Sequence, residues 1–238
     1  MPVTNERALY GPRRLATQST NREQVASASL GLVADPAAVR MTLFRPLARA
    51  RCPTDRRWAV QRCAVSDFVR GDLVSLRPWG VADAQWYADE SKDPDIQRFT
   101  SDPADLTAES VAAAIEARHG GSDLSFLIVD AVTDRRLGNL AVDLEGSAGM
   151  VSYWMSSSTR GRGSATSAIK LLVGWLHDRG EPLDELRLWT HIDNRASQVV
   201  ALRAGFVRDP TRDGLREIKG AIWETAAFRL DLRADPFT

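Results

Sequence analysis

Between Tyr153 and Thr166 the chain reads Tyr-Trp-Met-Ser-Ser-Ser-Thr-Arg-Gly-Arg-Gly-Ser-Ala-Thr, and this stretch holds the residue types best suited to chemistry. Small residues at Gly161, Gly163, Ser164 and Ala165 let backbone NH groups approach an anion, and the positive end of a following helix favours negative charge. Arg160 and Arg162 add side-chain donors whose fork geometry suits phosphate oxygens. The stretch points to a phosphorylated ligand, although a tight strand-to-helix turn with a solubilising Arg pair would use the same residues. Two other phosphate motifs do not fit. There is no Gly-x-x-x-x-Gly-Lys-[Ser/Thr], and Thr166 stands where a third glycine would complete Gly-x-Gly-x-x-Gly.

Such a joint needs a strand before it and a helix after it. Met150 to Met155 has strand character, while Ala165, Ala168, Ile169, Leu172, Trp175 and Leu176 share one face of a helix that Gly180 and Pro182 close. Leu186 to Thr190 is the next strand, which places the joint inside a strand-helix-strand unit. Upstream, Leu73 to Pro78 alternates like a half-buried strand. A first helix runs from Val81 to Glu90 and stops before Asp93-Pro94. A loop through Phe99 and Pro103 follows, and Thr107 caps a second helix that closes at His119-Gly120-Gly121. Ser125 to Ala131 and Leu137 to Glu145 pair across a turn at Thr133 to Arg136. In the second of these, Leu140, Val142 and Leu144 share one face and Asn139, Ala141, Asp143 and Glu145 the other. Downstream, Asn194 caps a short helix ended by Gly205, and Phe206-Val207 and Ile222 to Leu232 supply closing strands. An antiparallel meander thus runs into the glycine joint.

The chain has 238 residues, 44% of them hydrophobic and 26% charged, values of a globular protein. No apolar run reaches the ~20 residues that a membrane span requires, and no apolar stretch resembles a secretory signal. The net charge of zero hides an asymmetry. Twelve of the 31 bases but five of the 31 acids precede residue 71, which leaves 19 bases and 26 acids after it. Residues 1-70 show no sustained periodicity and read as a basic, disordered extension; residues 71-238 read as the folded domain. Within the extension, Arg40 to Arg51 could form a short basic amphipathic piece, and an Arg-rich start also has the look of an organelle transit peptide. The acidic body argues against nucleic acid as a partner except through the basic tail. Cys52 and Cys63 both lie in the extension, so neither a disulfide framework nor a structural zinc site is expected, and a reducing cytoplasm is the simpler location.

Taken together, several motifs in order resemble a known family. Arg160-Gly161-Arg162-Gly163-Ser164-Ala165-Thr166 follows Tyr153-Trp154-Met155, and about thirty residues later comes Asn194-Arg195-Ala196-Ser197-Gln198-Val199-Val200, ending in Gly205-Phe206. This pattern resembles the GNAT superfamily of acyl-CoA-dependent N-acetyltransferases, and within it the Rim-type ribosomal-protein N-terminal acetyltransferases. Leu76-Arg77-Pro78-Trp79 before Asp83-Ala84, Asp93-Pro94-Asp95-Ile96, the hairpin before Asn139, and Asp213-Gly214-Leu215-Arg216 add to the likeness, which covers roughly residues 72 to 232. The resemblance implies an α/β (α+β) fold with a central twisted, mostly antiparallel sheet, flanked by helices, that splays open at the acyl-CoA site. It implies acetyl-CoA as co-substrate and no metal, with the pyrophosphate on the backbone of Arg160 to Ala165. The pantetheine arm would lie along Trp154, Met155 and Ser156, whose NH groups would meet the thioester oxygen. Asn194 becomes a cofactor contact and Ser197 the acid for the CoA thiolate.

Direct attack of an amine on a thioester needs a neutral amine, a held oxyanion and a proton for the departing thiolate, but no protein nucleophile. Ser197 can serve as that acid, or can simply bond to backbone in the first turn of its helix; Asn194 is equally a plain cap. For the base, many relatives carry a Glu near the start of the Met150 strand, and none stands here. Asp143 and Glu145 are candidates, through a water, and are also what an exposed antiparallel strand would carry. His191 is a further possible proton carrier or a capping histidine. Departures at Ser152, Ser157 and Ser167, where relatives carry Gly, Pro and Glu, leave the acceptor side open. The expected acceptor is a primary amine, either a protein N-terminus or a small molecule, and the expected assembly a monomer or dimer. Two alternatives are a CoA-binding sensor or assembly module without catalysis, and an RNA-associated protein working through the tail.

Overall fold

The structure is a computed structural model that describes residues 68–118 and 124–233. The expected extension, up to position 67 and including both cysteines, and His119 with its glycine pair lie outside the described residues.

Within the described residues, eight strands join one sheet: β1 (Val74–Arg77), β2 (Leu124–Asp130), β3 (Arg136–Glu145), β4 (Ala148–Met155), β5 (Glu185–His191), β6 (Val207–Arg208), β7 (Gly214–Ile218) and β8 (Ala221–Asp231). Their order is β1-β2-β3-β4-β5-β8-β6, with β7 also paired to β8. Every pairing is antiparallel except β4 with β5. Five α-helices flank the sheet: α1 (Ala84–Glu90), α2 (Pro94–Phe99), α3 (Ala108–Arg118), α4 (Ser164–Arg179) and α5 (Arg195–Arg203).

Strand alternation divides the core into two layers. Phe126, Ile128, Leu140, Val142 and Val151 face the apolar stripe of α4 at Ala168, Ile169, Leu172 and Leu176. Leu127, Val129 and Trp154 point the other way, onto Tyr87, Ile96, Val111 and Ile115 of α1 to α3. Because both faces are covered, β2 reads as the continuous run Phe-Leu-Ile-Val rather than as alternation. Burying a side chain of this size is worth about 2 kcal/mol, so the two layers supply the main driving force.

One buried ion cluster accounts for the spacing of Arg77 and Asp83. The Asp83 carboxylate accepts from both Arg77 Nη atoms at 2.7 and 2.9 Å, from Arg136 Nε at 2.7 Å and from the Gly80 amide at 3.0 Å. Burial pushes this carboxyl's pKa up, but the arginines and the Gly80 NH outweigh it and hold Asp83 below the usual range. The cluster ties β1 and β3 to the first turn before α1.

Two elements differ from the sequence reading. The first helix ends at Glu90, before Asp93-Pro94, but Pro94 also starts the unexpected α2: proline suits the first helical position, and Asp93 caps it by accepting from the amides of Asp95 and Ile96, each at 3.0 Å. The strand β7 was not expected either. Its exposed face carries Leu215 with Glu217 and its half-buried face Arg216 with Ile218, so apolar and polar residues do not alternate, and the strand is held by its hairpin with β8.

Candidate functional site

The joint between β4 and α4 is built as its residue types require. Gly161 and Gly163 have φ of 76° and 81°, and an added Cβ at either would meet nothing within 4 Å. Glycine is therefore demanded here by backbone conformation rather than by crowding. Gly163 is the N-cap of α4 and supplies no side-chain cap, while the Ser167 amide already bonds to the Gly163 carbonyl. The amides of Ser164, Ala165 and Thr166 belong to the helical turn that has no internal acceptors, so they converge with the helix dipole on one anion-sized position.

The second part of the site is a split in the sheet. β4 and β5 pair only where Ala148 to Met150 lie beside Glu185 to Arg187. Beyond that, β4 stays on β3 as far as Met155 and β5 stays on β8 as far as His191, so Val151–Met155 and Leu188–His191 diverge. The Ser156 amide donates to the Leu137 carbonyl at 2.8 Å. By the alternation of an antiparallel ladder, the amides of Met155 and Tyr153 then turn away from β3 and into the split. A cleft of about 1570 Å³ passes through it and reaches the α4 joint.

The structure gathers most of the residues singled out from the sequence along this cleft. Trp154, Met155, Arg160, Gly161, Gly163, Ser164, Ala165, Asn194, Ser197, Asp143 and Glu145 all line it. Ser156 and Arg162 do not: Ser156 is buried with its hydroxyl on Ser158 at 3.2 Å, and Arg162 is exposed. The Arg160 guanidinium is turned from the joint to Asp93 and Asp95 at 2.6 and 2.9 Å, and its Nε donates to the Met155 carbonyl at 3.1 Å. Asn194 caps α5, accepting from the Ser197 amide at 3.1 Å. His191 Nδ1 accepts from the Asp193 amide at 3.1 Å and its ring packs between Phe99 and Trp223, which makes it a capping histidine.

The two faces of the sheet carry different groups. Asp143 and Glu145 lie on the face covered by α1 to α3, with Glu145 4.0 Å from Arg187. On the opposite face Tyr153 packs toward α5 and donates to Ser197 Oγ at 3.0 Å. Burial pushes the Tyr153 hydroxyl up to about 12, with the Ser197 contact pulling it the other way. At the α1 to α3 side, Ser152 Oγ and Trp154 Nε1 are buried without a hydrogen-bond partner among the described residues. Unsatisfied buried polar atoms at a cleft wall mark where a bound molecule or water would be received.

Several neighbours of Trp154 and of the cleft were not assigned from the sequence. Trp79, Trp86, Tyr87 and Trp154 form a chain of ring contacts 5.1 to 6.3 Å between centroids, and the buried Tyr87 hydroxyl holds Asp102 at 2.8 Å. That bond pins the loop after α2, whose Thr100, Ser101 and Pro103 line the cleft. Opposite, Lys219 at the tip of the β7–β8 hairpin donates from Nζ to the Gln97 carbonyl and Oε1, both at 2.9 Å. Nothing local to Lys219 or Gln97 signals this pairing across 122 positions. Among the described residues no group of His, Cys, Asp and Glu could hold a metal ion, and no helix is long and apolar enough to cross a membrane.

Comparison with known proteins agrees with this geometry. The family described as acetyltransferase (GNAT) domain matches residues 74–207, more than half of the chain. Among solved structures, a GNAT-family acetyltransferase from Bacillus anthracis superposes with a TM-score of 0.61 at 13% identity, over 70% of this chain and 99% of its own. The ribosomal L7/L12 alpha-N-protein acetyltransferase RimL, solved with coenzyme A, gives 0.61 at 18% identity over 71% and 100%. The ribosomal-protein-S5-alanine acetyltransferase from Vibrio fischeri gives 0.60 at 16% identity over 71% and 98%. At such identities the likeness establishes the fold. No curated protein sequence matches the chain.

Proposed function

Given that the chain belongs to the acetyltransferase (GNAT) domain family, we propose that it transfers an acetyl group from acetyl-CoA directly to a primary amine, with a protein N-terminus as the favoured acceptor. The observation that carries this reading is the continuity of the β4–β5 split with the uncapped start of α4. One receives an extended acyl-pantetheine arm, the other a pyrophosphate.

In this reading the backbone of Arg160, Gly161, Arg162, Gly163, Ser164 and Ala165 holds the pyrophosphate. Trp154 and Met155 line the arm, while Ser156 stands outside the cleft, and the Tyr153 and Met155 amides are the NH groups turned into the split, where the thioester oxygen takes up charge in the tetrahedral intermediate. Asn194 has spent its carbonyl oxygen on the α5 cap, which leaves its NH₂ as the group for the cofactor. The amine approaches from the face of Asp143 and Glu145; Asp143 lies across from Met150, roughly 16 Å along β4 from Met155, so these carboxylates take up the amine's proton through a relay of waters along the cleft, while Ser197 on the other face meets the sulfur. The C–N bond forms, the C–S bond breaks, the electron pair stays on sulfur, and the proton lost by nitrogen balances the thiol formed. A protein N-terminus suits the cleft because it is walled by α2 and the β7–β8 hairpin, room for an extended peptide. The ribosomal-protein acetyltransferases among the structural neighbours are named for acceptors of this class.

Calorimetric titration of the purified chain with acetyl-CoA, followed by thiol release against small amines and N-terminal peptides, tests the reading. Binding with amine-dependent release supports it, and peptide-dependent release supports the acceptor class. Tight binding without release to any amine would instead support a CoA-binding module.

A further inference from the structure

Tyr153 sits at the β4 edge of the split and Ser197 in the first turn of α5, and the 3.0 Å contact between their hydroxyls joins the two walls of the cleft. Ser197 is fixed at two points, because Asn194 Oδ1 also holds its backbone amide at 3.1 Å. A serine hydroxyl has one hydrogen to give and two lone pairs to receive with. Left alone in the first turn of a helix, it would spend that hydrogen on a backbone carbonyl.

We propose that Tyr153 is a positioning residue which, by donating to Ser197 Oγ, reserves the Ser197 hydrogen for the sulfur of the departing coenzyme A. The proposal rests on the acetyl-transfer reading above and adds to it a residue that acts only through Ser197. Tyr153 does not itself surrender a proton. Burial pushes its hydroxyl up to about 12, whereas a thiol ionises near 8.5, so transfer from the phenol to the thiolate would be unfavourable by roughly a thousandfold. The pair works by hydrogen bonding. As the C–S bond breaks, the electron pair localises on sulfur beside the Ser197 hydroxyl, and the proton that completes the thiol is the one the amine has released. Neither hydroxyl ends the cycle altered.

The test uses the full chain with Tyr153→Phe, Ser197→Ala and the double variant. Each is measured for turnover and for affinity toward coenzyme A and desulfo-coenzyme A, which lacks the sulfur. Loss of a hydrogen bond to a charged atom lowers kcat by about tenfold in Tyr153→Phe, with the acetyl-CoA KM changing by less than about twofold. Because Tyr153 acts through Ser197, the double variant is no slower than Ser197→Ala. The preference for coenzyme A over the desulfo compound shrinks in Tyr153→Phe and vanishes in Ser197→Ala. Equal weakening of both ligands would show a packing role and overturn the proposal, as would additive losses. A fully active Ser197→Ala beside an inactive Tyr153→Phe would make Tyr153 the direct donor and overturn it too. If the parent chain binds coenzyme A yet acetylates nothing, the transfer reading fails, but the affinity ratio still decides the role of Tyr153. If it binds neither compound, both fail.

Discussion

Arg160 and Asp93 lie 2.6 Å apart, so the loop that precedes α4 is bonded to the residue that caps α2. Burial raises the Asp93 carboxyl's pKa, but the Arg160 contact and the two α2 amides outweigh it and hold it below the usual carboxylate range. Since Asp95, Ile96 and Phe99 of α2 line the cleft, the proposed cofactor side and the proposed acceptor side share one structural member. Gln97 of the same helix receives Lys219, which extends the connection to the β7–β8 hairpin. The chain of contacts crosses the mouth of the cleft.

Arg160→Gln is expected to act on the acceptor more than on the cofactor. Removing a partly exposed ion pair is worth about 1 kcal/mol, so the acceptor KM rises about fivefold while acetyl-CoA affinity changes little. Steady-state kinetics with calorimetry checks this. A large loss of acetyl-CoA affinity would mean that the guanidinium leaves Asp93 for the pyrophosphate.

Lys219→Asn separates the hairpin turn from its contact with α2. Lys219 and Gly220 have φ of 52° and 75° in a two-residue β7–β8 connection, a conformation that Asn-Gly adopts more readily than Lys-Gly. Thermal stability is therefore kept or slightly raised, while loss of the Gln97 bonds raises the acceptor KM. Unchanged kinetics with every peptide tested would show that the hairpin tip does not shape the acceptor site.

At Gly163 two substitutions divide strain from charge. Gly163→Ala meets open space and costs only the left-handed backbone penalty of about 1 kcal/mol. Gly163→Asp adds a carboxylate at the start of α4, where it takes the anion's place on the helix amides, and acetyl-CoA affinity falls by more than about a hundredfold. Titration calorimetry of the two variants decides whether this joint is the phosphate site.

Asp83→Asn leaves Arg77 and Arg136 without their shared carboxylate, whose side chain is 3% exposed. Urea unfolding at neutral pH is expected to show a loss of about 3 kcal/mol. Because the folded carboxyl has a lowered pKa, the unfolded chain binds more protons as the solution is acidified. The Asp83 contribution is complete above the unfolded value near 4 and disappears as pH falls through the lower folded value, so parent and variant converge in acid. A difference that stays constant from neutral pH to about pH 3 would contradict this.

Much of this protein was legible without coordinates, because burial imprints a period on each element. The helix α4, the β2–β3–β4 meander with its division of Leu140 and Val142 from Asp143 and Glu145, and the strand-helix-strand order of β4, α4 and β5 follow from alternation, helical stripes and glycines. The joint proposed to bind an anion is local as well, since a strand, two glycines with positive φ and a helix start are consecutive in the chain. Start signals can mislead where one residue serves two ends: Pro94 both stops a helix and begins one, and only the Asp93 cap resolves it.

What only the tertiary structure decided concerns partners distant along the chain. Nothing in the residue patterns of β4 and β5 says that they part after Met150 and Arg187, because each strand keeps its other neighbour and β5 keeps a strict burial alternation throughout. The arginine expected on phosphate went to Asp93, Tyr153 met Ser197, and Lys219 met Gln97. A sequence pattern records how deeply a residue is buried and on which side; which group it touches depends on the register and twist of the assembled sheet.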